Sequence, residues 1–119
     1  MTILLETPHP VRERLLLHIH ADVPINISAT QAQHDITEYV HSKISSQMHA
    51  KNPILVLGSR VYWRVPIHLT FPSFGDAGQV GTIDVDVETG QAEITKALIQ
   101  EIESHAEDIA RRFTSQATR

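Results

Sequence analysis

Between Val61 and Phe71 every second residue is apolar. Val61, Trp63, Val65, Ile67, Leu69 and Phe71 fall on one side of an extended chain, and Tyr62, Arg64, Pro66, His68 and Thr70 on the other. A period of two is the side-chain repeat of a pleated strand, whereas a helix would scatter the same six residues around its circumference. The chain therefore has to supply further strands beside this one and an apolar layer beneath its odd-numbered face. Pro66 qualifies the reading: it has no N–H to give to a ladder, so the strand is expected to lie at an edge there or to carry a bulge.

The residues that follow continue the pattern. Pro72–Gly78 has turn chemistry, and Ile83, Val85 and Val87 then alternate with Thr82, Asp84 and Asp86, which predicts a hairpin. The glycines at 75, 78 and 81 precede a strand; a phosphate-binding loop follows a strand and opens a helix, so they are read as turn residues. Ile54–Leu57, closed by Pro53 and Gly58, predicts a short strand. Leu15, Leu17, Ile19, Ala21 and Val23 alternate with Leu16, His18, His20 and Asp22, which predicts another with one face largely wet.

Two segments carry helical spacing instead. Ser28 is placed as an N-cap, with Gln31 completing a capping box and Ile27 stapling against Ala32. Ala32, Ile36, Tyr39, Val40, Ile44 and Met48 then wind along one side, so a helix is expected from about Ala29 to a point before Lys51. After Glu88, Thr89 and Gly90 end the hairpin, Ile94, Leu98, Ile102, Ala106, Ile109 and Phe113 recur every three or four residues. Arg111 and Arg112 suit the negative end of the helix dipole there. The expected fold is one α+β domain over residues 1–119. It has two layers, an antiparallel sheet of three to four strands packed on two amphipathic helices, with residues 1–14 as an extended arm and 114–119 as a frayed tail.

Bulk properties narrow the function. A chain of 119 residues that is 41% hydrophobic can bury a core without staples. Its charge of −4 arises from 14 acidic and 10 basic residues scattered along the sequence, without the basic stripe that phosphate neutralisation needs, so no nucleic-acid partner is expected. The absence of cysteine removes disulfides, thiolate chemistry and cysteine zinc sites. An acidic opening with Pro8 and Pro10 does not read as a secretory leader, and no run approaches the ~20 apolar residues of a membrane span. A soluble, cytoplasmic protein without a membrane partner is the expectation.

Three segments carry a family resemblance: Ser28-Ala29-Thr30-Gln31-Ala32 at a helix start, Tyr62-Trp63-Arg64-Val65 in the first hairpin strand, and Asp86-Val87-Glu88-Thr89-Gly90 at the hairpin's end. Together they make residues 27–91, about half of the chain, resemble the PepSY domain. PepSY modules occur in peptidase propeptides and envelope proteins, where they are thought to bind and inhibit proteases. The resemblance implies a fold and a protein-binding role with no catalytic residues. To that pattern the chain adds a strand before the helix and a long helix after the hairpin.

Candidate chemistry centres on eight histidines. His34, Glu38 and His41 stand at i, i+4 and i+7 on one helix face and offer ligands that zinc accepts, although the bland reading is the solvated face such a helix needs anyway. His18, His20, Arg64, His68, Asp84 and Asp86 are placed together on the sheet's polar face as a candidate interaction surface, against the plain alternative of cross-strand charge pairing. Asp84 and Asp86 lack a nucleophile or activating partner nearby in sequence, so no catalytic residue and no cofactor are assigned. Leu16 and uncovered helix stripes leave apolar surface for which homodimerisation is the ordinary solution. The functional expectation is a noncatalytic interaction or regulatory module, inhibitor- or antitoxin-like, acting on a protein partner. The alternatives are a histidine-based metal-binding protein or metal-dependent enzyme, and a small-molecule sensor with a pocket around Trp63.

Overall fold

The computed structural model describes residues 2–6, 20 and 22–117. Among them the chain forms β1 (Thr2–Leu5), α1 (Ala29–Lys43), β2 (Met48–Ala50), β3 (Ile54–Leu57), β4 (Val61–Phe71), β5 (Gly75–Asp86), β6 (Ala92–Glu93) and α2 (Lys96–Ala117). The architecture is mixed α+β with a six-stranded open sheet in the order β1-β3-β4-β5-β6, where β2 shares an edge of β4 with β3.

The alternating segment is the spine of this sheet. Trp63, Val65, Ile67 and Leu69 are at most 4% exposed and join Ile83 and Val85 of β5 in the core. From α1 the core receives Ala32, Ile36 and Val40, and from α2 Ile102 and Ile109. Ser28 caps α1 as expected, its hydroxyl accepting from the Gln31 N–H at 3.1 Å. Val56 and Tyr62, register partners on neighbouring strands, are also buried but stand outside that cluster, so the opposite face is not uniformly wet.

Several expectations are corrected. The sheet has six strands rather than three to four, because short pieces that pair only two to four residues carry too little pattern to read. Residues 2–5 of the expected arm form β1, which runs parallel to β3, so the sheet is not purely antiparallel. Glycines 75, 78 and 81 lie inside β5; the turn is only Pro72–Phe74, and the hairpin is far longer than expected. Met48 belongs to β2 instead of the α1 stripe, since the helix stops at Lys43. Residues 114–117 continue α2, so Arg111 and Arg112 are not in its last turn. The strand expected over residues 15–23 lies mostly outside the described residues, and His20, Asp22 and Val23 are in no strand.

Pro66 sits in the interior of the sheet, not at its edge. Its carbonyl accepts from the Lys51 N–H at 2.9 Å. In an antiparallel ladder the N–H and C=O of one residue point the same way, so the missing N–H faces the break between β2 and β3, where no strand asks for it. The register with β5 slips one residue further on, between Ile67 and His68, with Val80 as the extra residue.

Both helices also seal sheet edges. Thr37 of α1 accepts from the Ala50 N–H at 3.1 Å, and Gln33 donates to the Ala50 carbonyl at 3.1 Å. His105 of α2 donates from Nδ1 to the carbonyl of the bulged Val80 at 2.8 Å. α2 lies close because β5 lacks side chains beneath it: a Cβ on Gly81 would stand 2.7 Å from Ile102 Cγ1, and one on Gly78 would meet Ile109 Cδ1 at 3.7 Å. The step from Ile102 to Ile109 spans about 10.5 Å of helix, and the step from Gly81 back to Gly78 about 10 Å of strand, so α2 runs antiparallel to β5 in matched stride.

Candidate functional site

The polar face of the sheet divides into two ion clusters. In the first, β4 presents Tyr62 and Arg64, β5 presents Asp84, and β1 delivers Glu6 from the parallel edge. Arg64 Nε binds Asp84 Oδ1 at 3.2 Å, and its Nη2 reaches Glu6 Oε1 at 3.0 Å and the Tyr62 hydroxyl at 2.7 Å. The Tyr62 hydroxyl in turn donates to Glu6 at 3.1 Å, and the guanidinium carbons of Arg60 and Arg64 stand 5.3 and 5.4 Å from its ring centre. Arg60 also pairs with Glu93. Burial pushes the Asp84 carboxyl above its usual range against the pull of Arg64, and burial likewise raises the Tyr62 hydroxyl.

The second cluster lies where β2 meets the far end of the hairpin. His68 Nδ1 is 3.0 Å from Asp76, and Lys51 Nζ is 3.3 Å from the same carboxylate. His49 Nδ1 is 3.1 Å from the Thr70 hydroxyl, and the rings of His49 and His68 are 6.4 Å apart. The His68 bond, helped by the Gly78 N–H and Lys51, lowers the Asp76 carboxyl to about 2. Burial, then the Lys51 charge, lowers His49.

Of the expected surface, the structure brings Arg64 and Asp84 together and sets His68 in the other cluster. Asp86 is spent on local structure: its Oδ1 accepts from the Glu88 and Thr89 N–H groups at 2.8 and 2.9 Å, which lowers its carboxyl. His18 lies outside the described residues. His20 is exposed, and among the described residues no hydrogen bond or ion pair ties it to this face. Glu6, His49 and Asp76 were not foreseen, since each arrives from a segment read as arm, helix or turn.

On α1, His34 Nε2 approaches Glu38 Oε1 at 3.3 Å, but the potential ligand group is His34, Asp35 and Glu38, with donor atoms within 4.8 Å of one another. His41 is not part of that group. All three residues are exposed, and Asp35 already accepts from Gln31 at 2.7 Å. Trp63 is buried, with its indole N–H donated to the Ile27 carbonyl at 2.8 Å. Its polar atom is thus spent on the chain rather than offered to a ligand.

The helix-bearing side has a different character. Between the end of α1 and the outer flank of α2 lies a cleft of about 350 Å³, floored by Met48, Leu69 and Phe71 and rimmed by Glu103 and Glu107. Beyond Ala110 an adjoining hollow of about 290 Å³ runs beneath Phe74 and Phe113. Phe113 packs edge-on against Phe71 and Phe74, at 5.4 and 5.1 Å between ring centres. Phe74, at the tip of the hairpin, remains 57% exposed.

Among the described residues no helix is long and apolar enough to cross a membrane. Comparison with protein-family models, curated proteins and solved structures finds no match.

Proposed function

We propose that this chain is a noncatalytic protein-interaction module of regulatory type that self-associates and engages a protein partner. The observation that carries the proposal is the contrast between its two sides. Arg64 is already bound to Asp84 and Glu6, and His68 to Asp76, whereas Phe74 and the cleft beside α2 offer apolar surface to solvent. Apolar patches of this kind mark association surfaces. The PepSY resemblance enters as a source for binding in place of catalysis, and inhibitor- or antitoxin-like regulation is the form of partner engagement proposed.

Affinity capture from the producing cells tests the reading, run with the native chain and with Phe74→Ser. A stoichiometric partner retained by the native chain and lost with Phe74→Ser supports it. A chain that captures none and stays monomeric at its highest soluble concentration ends it.

Metal binding at His34, Asp35 and Glu38 is the second reading, supported by the convergence of their donor atoms. Near-stoichiometric zinc in untagged protein, lost in His34→Ala, would move the assignment there.

A further inference from the structure

The geometry points to a specific self-association surface, a twofold axis beside Ala110 that pairs α2 antiparallel with α2 of a second copy and seats Phe74 of each chain in the cleft of the other. This deepens the self-association named above and rests on it. It requires one symmetry operation to satisfy shape and charge together, and the arrangement along α2 meets that requirement.

Shape comes first. The cleft lies toward the N-terminal side of Ala110, lined by Glu103, Ala106 and Glu107 of α2. The exposed Phe74 lies toward the C-terminal side, packed on Phe113. A twofold axis at Ala110 exchanges the two sides, so the protruding ring of one copy arrives over the hollow of the other, twice. A closed dimer made in this way uses one patch on both subunits. Ala106 and Ala110, the small residues at the crossing, allow the helices to approach.

Charge follows the same operation. The rim is acidic on one side of the axis, at Glu103 and Glu107, and basic on the other, at Arg111, and all three are exposed. An antiparallel pairing centred on Ala110 sets Glu107 level with Phe113 of the second copy, within side-chain reach of its Arg111. A parallel pairing would oppose Glu107 to Glu107. Arg111 now contacts Asp108 of its own helix, an exposed i,i+3 pair that costs little to exchange.

The chain has no cysteine, so introduced thiols report cleanly. In the full-length protein, Ala110→Cys should oxidise to a disulfide-linked dimer as the main species, because the axis brings the two Cβ atoms to about 4 Å. Ser104→Cys should not, since its two copies stand about 18 Å apart along the helices. By light scattering, Phe74→Ser and Arg111→Glu should each weaken the dimer at least tenfold, and Glu107→Arg combined with Arg111→Glu should restore it. Circular dichroism of Phe74→Ser should match the native chain, as its ring is mostly exposed. A dimer that cross-links through Ser104→Cys but not Ala110→Cys overturns this surface while leaving self-association standing. A native chain that is monomeric throughout overturns both.

Discussion

The two helices cover the same sheet and differ in how much of themselves they spend on it. α1, 15 residues long, buries Ala32, Ile36 and Val40 at 2% exposure or less and uses Thr37 and Gln33 to close the β2 edge. α2 is 22 residues long, yet only Ile102 and Ile109 are fully buried, over the two glycines that admit them. The rest of its apolar stripe, Leu98, Ala106 and Phe113, is half-buried, and the last two lie beside the cleft and the exposed Phe74. A helix consumed by the core can do little else. One that outreaches its core contacts keeps surface for a partner.

The strongest way to break this contrast is beneath the α1 end of the core. Trp63→Ala removes a buried indole and its bond to the Ile27 carbonyl, one residue before the α1 cap, and should cost about 3–5 kcal/mol in urea unfolding. A cost near zero would mean that α1 is no better anchored than α2.

Beneath α2 the corresponding probe adds an atom. Gly81→Ala places a Cβ against the middle of the buried Ile102 side chain, which has no room to yield, and should destabilise by about 1–3 kcal/mol. In an Ile102→Ala background, which lacks the Cγ1 that the new Cβ would meet, Gly81→Ala should recover part of that loss. Without recovery, the close approach of α2 to β5 is not what holds the helix in place.

Edge closure gives a smaller effect. Thr37→Val keeps the shape but leaves the part-buried Ala50 N–H without its acceptor, at about 1–2 kcal/mol. Hydrogen exchange at Ala50 should quicken more than at Val65, locating the change at the sheet's rim.

The smallest expected effect is electrostatic. The folded Asp76 carboxyl, at about 2, titrates below its ordinary 3.8, so within that interval the unfolded chain binds more protons. The stability it contributes is complete above about pH 4 and is lost as pH falls toward 2. Because the side chain is 40% exposed, solvent screens much of this contribution, and Asp76→Asn should only flatten the acid limb of the stability curve. An unchanged limb in that variant would mean the His68 and Lys51 contacts do not act on the carboxylate.

What the sequence determined by itself is whatever repeats locally. The period of two at 61–71 identified the spine strand and its buried side chains, Ser28 and Gln31 located the start of α1, and the three-to-four spacing after Gly90 located α2. Each of these rests on side chains a few residues apart, where geometry is fixed by the backbone period alone. Pairing between distant segments leaves no such trace. Only tertiary structure decided that Thr2–Leu5 lies parallel to β3 and carries Glu6 to Arg64, or that Met48 leaves the helix for β2. The same holds for Gly81, whose missing side chain reads as a turn in sequence and serves as the seat of Ile102 in space. The reason is physical: such a position is chosen by what approaches it from elsewhere in the chain, and the neighbouring residues do not record that approach.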